Sequence, residues 1–246
     1  MSTPDYTEAA FGSNRTCVSS CMMEESPSYG SWMAAVMRTH LRGHVLEVGC
    51  GPGHYTGHYA DLPEVERVTG MDRDAGVVAE AQQGAPRADV DFRVGDANAL
   101  EKRSWQSIVC ANVVEHIEDD RAFVGTLAEA VAPCGTLALL APAHPRLYCQ
   151  YDLEAGHHRR YTRRAFRSLV DTTGFRVDRL FFFNVLGAMG WFYAFKLRQR
   201  SQVSEQTSRP MIRIFERYFL PVGRAAERVV APPFGLSLVA LCRRPA

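Results

Sequence analysis

The sequence predicts an α/β fold with a doubly wound, mostly parallel sheet of seven strands. Strand-like and helix-like stretches alternate along most of the chain, which is the pattern of parallel sheets joined by crossover helices. The run 136–141 is apolar throughout, as expected for a strand covered on both faces. The run 45–48 leads directly into a turn with three glycines, so the first strand is expected to feed a ligand-binding loop.

Each element is indicated by its own local pattern. A stripe of apolar residues predicts a helix ahead of the sheet over 29–41, and the other helices are marked by acidic N-caps or a C-terminal glycine such as Gly174. The predicted strands are 45–48, 65–71, 90–94, 107–111, 136–141, 175–183 and 236–241. The predicted helices after the first are 56–59, 75–82, 120–131 and 162–173, and the insert 185–231 before the last strand is mostly helical in pattern.

Length and composition indicate one α/β domain over 1–246, in which 1–41 form an N-terminal arm and cap helix. The net charge of +1 does not point to nucleic acid or an anionic membrane. Seven scattered cysteines without a C-x-x-C pair predict reduced thiols, a cytoplasmic protein and no metal site. No leader peptide is recognised, and the apolar run 180–197 is too interrupted for a membrane span.

The glycine-rich turn narrows the kind of ligand. Gly53 is followed by His54 and Tyr55 rather than Lys-Ser/Thr, so the turn is not a phosphate loop. Its spacing reads G-x-G-x-G, which also differs from the G-x-G-x-x-G dinucleotide fingerprint. With Glu47 two residues before Gly49, the segment resembles motif I of the class I S-adenosylmethionine (SAM)-dependent methyltransferases. A tight turn without a ligand is the alternative interpretation.

Further motifs of that family follow in order. The run 68–72 ends in Asp72 and resembles motif II, 94–97 contains Asp96 and resembles motif III, and 108–120 resembles motif IV. The resemblance implies a Rossmann-like methyltransferase fold with SAM as cofactor. It also implies a set of SAM-binding residues: Glu47, Gly49, Gly51, Gly53, Asp72, Arg73, Asp96, Ala97 and Asn112. One departure is Trp105-Gln106, where the family often has Phe-Asp before strand four.

The acceptor is expected beyond strand five, where 141–161 is rich in histidine, tyrosine and arginine. This stretch resembles a bacterial small-molecule methyltransferase subgroup with a G-H-x-R-R-Y signature. His144 is the first candidate for a general base and His157 the second, because an imidazole titrates near neutral pH. A structural role is the alternative for both, and His116 is expected to be structural.

Six residues are predicted to contact the acceptor: Trp32, Tyr148, Tyr151, Arg159, Arg160 and Tyr161. For the arginine pair, internal ion pairs with Asp152 or Glu154 are the favoured alternative. Aromatic residues of the insert are expected to form core or dimer contacts, with a pocket wall or a membrane contact as alternatives.

The sequence as a whole predicts methyl transfer from SAM to an oxygen or carbon of a small molecule, in bacterial secondary metabolism or saccharide modification. Small molecules are the expected partners, with no nucleic acid, no stable membrane insertion and a possible homodimer. Two alternatives remain open: an N-methyltransferase, and a SAM-binding regulatory or interaction protein that transfers no methyl group.

Overall fold

A computed structural model of the chain describes residues 27–84, 87–193 and 213–245. The predicted N-terminal arm and the middle of the helical insert lie outside these residues. The strands are β1 (Gly43–Val48), β2 (Val65–Asp72), β3 (Val90–Val94), β4 (Trp105–Ala111), β5 (Val131–Pro142), β6 (Arg176–Phe183) and β7 (Ser237–Arg243). The α-helices are α1 (Pro27–Met37), α2 (Thr56–Ala60), α3 (Ala75–Gly84), α4 (Asp120–Ala130), α5 (Gln150–Glu154), α6 (Arg163–Asp171), α7 (Val185–Trp191) and α8 (Leu220–Val229).

The seven strands form one sheet in the order β3-β2-β1-β4-β5-β7-β6. The first five pair in parallel, whereas β7 runs antiparallel to both β5 and β6. This arrangement confirms the predicted fold class. It also places the carboxyl ends of β1 to β5 along one edge of the sheet, where open α/β sheets bind their ligands.

Helices cover both faces, as alternate residues of β1 show. Leu46 and Val48 pack on the face covered by α4 and α6, while Val45 belongs to the opposite cluster with α1, α2 and Leu220 of α8. No helix among the described residues is both long enough and apolar enough to span a membrane.

The observed bounds differ from the predicted ones mainly at β5, which begins at Val131 rather than at residue 136. Pro133-Cys134-Gly135 is a bulge inside the strand: the pairing with β4 shifts there, and Cys134 has φ 58°. A proline and a glycine in sequence resemble a turn, so the bulge was not predicted. The short helix α5, inside the predicted acceptor loop, was not predicted either.

Candidate active site

The glycine-rich loop leaves the end of β1 and is held against the end of β2. The amides of Gly49 and Cys50 both donate to the carbonyl of Met71, at 2.8 and 3.1 Å, and the amide of Gly51 donates to Asp72 Oδ2 at 2.9 Å. Gly49, Gly51 and Gly53 all have positive φ, which explains the preference for glycine. A Cβ at Gly49 would lie 2.3 Å from Val113, whereas a Cβ at Gly51 would meet no atom within 4 Å. The loop therefore leaves open space at Gly51.

Glu47 lies beneath this loop and is 2% exposed. Thr56 Oγ1, at the start of α2, donates a hydrogen bond of 2.5 Å to Glu47 Oε2. Burial, together with the nearby charge of Asp72, raises the pKa of Glu47 to about 8. A cationic ligand group at this place would favour the ionised carboxylate and bring that pKa down.

The ends of β2 and β3 carry the two predicted cofactor aspartates. Asp72 accepts from the amides of Gly51 and Asp74, one with each oxygen, so a lone pair on each oxygen remains for a ligand. Asp96 caps the short 3₁₀ turn Ala97–Ala99 through the amide of Asn98 and forms an ion pair with Arg73 at 3.0 Å. Both carboxylates thus lie at the ligand-binding edge of the sheet.

The chain leaves β4 through a tight turn at Asn112, which has φ 56° and donates its amide to the carbonyl of Leu140 at 2.9 Å. The 3₁₀ turn Val114–His116 follows. Glu115 within it is 1% exposed, and burial raises its pKa to about 8. Burial lowers the pKa of the neighbouring His116 to about 4. Two titratable groups with strongly shifted pKa values therefore meet at the end of β4, which is typical of functional sites.

A buried polar network organises the loop after β5. Asp152 in α5 is fully buried and accepts from His157 Nδ1 at 2.9 Å and from Arg160 Nε at 2.7 Å, both through Oδ1. These partners hold the pKa of Asp152 below its ordinary value against the opposing effect of burial. The guanidinium of Arg160 also lies 4.5 Å from the ring centroid of Trp191. Tyr148 donates from its hydroxyl to the carbonyl of His157 at 2.6 Å.

His144 directly follows β5 in the left-handed region, with φ 61°, and its amide donates to the carbonyl of Tyr161. Its ring stacks on Phe182 with centroids 5.0 Å apart and hydrogen-bonds to the backbone of Gly235. Nε2 is buried and has no hydrogen-bond partner among the described residues. Burial lowers the pKa of His144 below its ordinary value.

Three of the predicted acceptor contacts lie inside the protein and contact other protein residues there. Trp32, Tyr161 and Arg160 are 3, 4 and 5% exposed. Trp32 packs on Phe183 with ring centroids 4.4 Å apart, and the hydroxyl of Tyr161 donates to Asp120 at 2.8 Å. Arg160 forms an ion pair with Asp152, which is the internal role that the sequence favoured over contact with the acceptor.

The other predicted contacts are more accessible. Arg159 pairs with Asp120 at 3.0 Å and donates to the carbonyl of Glu118, so the two adjacent arginines have different partners. Tyr148 and Tyr151 are half-buried beside the network. In α1, the predicted cap helix, Met33 and Met37 are fully buried in the core.

Sequence reasoning did not single out Glu115 or Asp152, which the structure places among the candidate site residues. Glu115 lies within the motif IV segment, next to a histidine that was expected to be structural. Asp152 was considered only as a possible ion-pair partner of the arginine pair. The available signal was an acidic residue next to, or five residues before, a histidine; that spacing alone does not show that the side chains meet.

Comparison with known proteins agrees with this geometry. Residues 45–135, from β1 to the bulge in β5, match the family model described as a methyltransferase domain. A probable SAM-dependent methyltransferase of Mycolicibacterium smegmatis is 29% identical over 136 residues, which span 54% of this chain and 52% of that protein. The chain thus spans about half the length of this curated relative.

Two solved structures share the fold. A SAM-dependent methyltransferase from Mesorhizobium loti superposes with a TM-score of 0.59 at 16% identity, covering 90% of this chain and all of that one. The phosphoethanolamine N-methyltransferase 2 of Haemonchus contortus, solved with SAM, superposes with a TM-score of 0.63 at 17% identity. The match covers 99% of this chain and 62% of that one. Residues 45–135 therefore match a methyltransferase domain, and the sheet that contains them has the fold of solved SAM-dependent methyltransferases.

Proposed function

We propose that the protein transfers the methyl group of SAM to an oxygen or carbon atom of a small-molecule acceptor. The observation that carries this proposal is the glycine loop between Glu47 and Asp72, with open space at Gly51 for a ligand. The open space at Gly51 offers room for SAM, and Glu47 offers a carboxyl group whose ionised form would be stabilised by the ammonium group of SAM. Asp72 has lone pairs for the two ribose hydroxyls, and Asp96 has them for the adenine amino group.

SAM supplies an already activated methyl carbon, so the protein mainly has to bind and orient the two reactants. For a hydroxyl acceptor, the oxygen bonds to the methyl carbon as the carbon–sulfur bond breaks, and the acceptor proton passes to a base. His144 is the base we propose, because it directly follows β5 and its Nε2 has no hydrogen-bond partner among the described residues. Asn112 and Ala97 complete the proposed cofactor site, at the ends of β4 and β3.

The acceptor is proposed to enter beside the loop 144–161, along Tyr148, Tyr151 and Arg159. A bacterial role in secondary metabolism or saccharide modification remains part of the proposal, as does a cytoplasmic, single-domain protein. The relatives do not narrow the acceptor, because the domain they share with this chain is the SAM-binding half.

The test is calorimetry with SAM and with S-adenosylhomocysteine, followed by turnover with methyl-labelled SAM against a panel of phenols, sugars, enols and amines. We expect one equivalent of either cofactor form to bind, and S-adenosylhomocysteine to appear with an oxygen or carbon acceptor. Turnover with amines alone would instead identify an N-methyltransferase. Binding without turnover on any acceptor would favour a regulatory protein, and absence of binding would refute the proposal.

A further inference from the structure

Three metal-ligating side chains meet next to the proposed acceptor site, although the sequence predicted no metal site. Glu115 and His116 come from the 3₁₀ turn after β4, and His157 comes from the loop after α5. One ligand atom from each lies within 4.8 Å of the other two. The two imidazole rings stand edge to face with centroids 4.7 Å apart. The amide of His158 donates to the carbonyl of Glu115 at 2.8 Å and fixes the two segments together.

Glu115 lacks the partners that a buried carboxyl group requires. Its side chain is 1% exposed, and neither carboxylate oxygen has a hydrogen-bond partner among the described residues. A buried carboxylate without a hydrogen bond is costly even with the charge of Arg160 nearby, and a protonated one would leave its O–H donor unsatisfied. Nearly all buried polar groups in proteins are paired, so this carboxylate indicates that a ligand binds here. A cation bound between Glu115 and the two histidines would supply it.

The residues that contact His157 on the side away from the cluster are arranged as around a metal-binding histidine. Asp152 is fully buried and accepts from His157 Nδ1 at 2.9 Å, while Arg160 balances its charge at 2.7 Å. A proton on Nδ1 leaves the lone pair on Nε2, free to coordinate a metal. Carboxylates that hold the remote N–H of a ligating histidine fix the tautomer and strengthen the ligand.

We propose that Glu115, His116 and His157 bind a divalent transition-metal ion. Two imidazoles and one carboxylate suit Zn²⁺, Mn²⁺ or Fe²⁺, whereas Mg²⁺ prefers an all-oxygen set. Three protein ligands leave coordination positions open at the site. The side chains need to close by about an ångström to reach metal–ligand distances near 2.1 Å, a movement within reach of the rotation of two imidazole rings.

The catalytic role of this metal site rests on the proposed methyl transfer and specifies how the acceptor would be activated. The open positions would bind the acceptor oxygen and make its hydroxyl proton more acidic, so His144 could remove that proton at neutral pH. His157 would then be a ligand and not a base. The acceptor class that fits is a hydroxyl compound with a second oxygen nearby, because two oxygens can occupy two open positions.

The test is metal uptake by the intact chain, independent of any acceptor. Protein stripped with a chelator is titrated with Mn²⁺ by calorimetry and with Co²⁺ by visible absorption. We expect one equivalent of metal and a cobalt spectrum of nitrogen and oxygen ligands, without the thiolate charge-transfer band that binding to a cysteine would give. Glu115→Gln and His157→Gln should each lower the affinity about 100-fold or more, and Asp152→Asn, a positioning variant, about 10- to 100-fold.

His158→Gln is the matched control, since it removes an adjacent exposed histidine outside the cluster and should leave the affinity unchanged. Calorimetry with SAM on every variant shows that it is folded and separates the two proposals. Wild-type protein that binds SAM but takes up no metal would overturn the metal site and leave the proposed function standing. The metal site would also be overturned if neither Glu115→Gln nor His157→Gln lowered the metal affinity. Wild-type protein that takes up metal but does not bind SAM would refute only the methyl transfer.

Discussion

At the scale of single residues, Asp72 joins the glycine loop to β2 and also faces the proposed ribose position. Asp72→Asn replaces one acceptor oxygen with an NH₂ group, which then faces the amide of Gly51 or of Asp74 and can no longer accept from a ribose hydroxyl. We expect SAM affinity to fall by about 1.5–3 kcal/mol, the range for hydrogen bonds to a charged group. Calorimetry measures this loss, with Asp171→Asn on the exposed face of α6 as the control. Equal affinity in Asp72→Asn would remove Asp72 from the cofactor site.

A second residue-scale prediction concerns His144. If His144 is the base, His144→Gln should lower turnover about 10²-fold or more and remove the acidic limb of the pH–rate curve. Thermal stability should change little. Because burial lowers the pKa of His144, the acidic limb of the wild type should lie below pH 6.5. The readout is turnover per folded molecule on the acceptor found in the panel. Lower melting temperature with normal turnover would instead identify His144 as structural, held by Phe182 and Gly235.

At the scale of elements, the glycine loop allows stability to be separated from binding. Gly49→Ala places a methyl group 2.3 Å from Val113, so we expect clear destabilisation. Gly51→Ala meets no protein atom and should cost only about 1–2 kcal/mol for its positive φ of 53°. The same methyl group would fill the open space at the loop, so SAM binding should be lost. Chemical denaturation and calorimetry on both variants give the comparison, and normal SAM affinity in Gly51→Ala would place the cofactor elsewhere.

At the scale of the whole molecule, Glu47 links stability to pH. Its folded pKa of about 8 lies above its ordinary value, so between about pH 4.5 and 8 the folded state holds a proton that the unfolded chain has lost. The contribution of Glu47 is therefore fully present at low pH and is lost as pH rises, by at most about 1.4 kcal/mol per pH unit.

The expected result is a shallower fall of unfolding free energy from pH 5 to 8 in Glu47→Gln than in the wild type. The amide oxygen can still accept from Thr56, so the contact is kept while the titration is removed. Glu115, whose pKa is also raised to about 8, contributes the same slope to both proteins. Denaturation in the presence of a chelator measures both curves, and parallel curves would contradict a raised pKa for Glu47.

The sequence by itself determined the sheet and the edge at which the acidic strand ends lie. Apolar runs of strand length, the glycine spacing and the acidic strand ends are local signals, and parallel strands bring their carboxyl ends to one edge whatever the surrounding loops do. That is why the seven strands and the positions of Glu47, Asp72 and Asp96 were predicted. The exception among local signals was Pro133-Cys134-Gly135, because a bulge and a turn use the same residues.

Only the tertiary structure decided what surrounds the proposed acceptor site. Whether Trp32 lines a pocket or fills the core depends on its contact with Phe183, about 150 residues away. The meeting of Glu115 with His157, and of Asp152 with Arg160, likewise depends on how the loop after β5 folds back onto the end of β4. The sequence states which side chains are present. Their distances and burial, which decide whether they form a site, arise only when distant segments pack together.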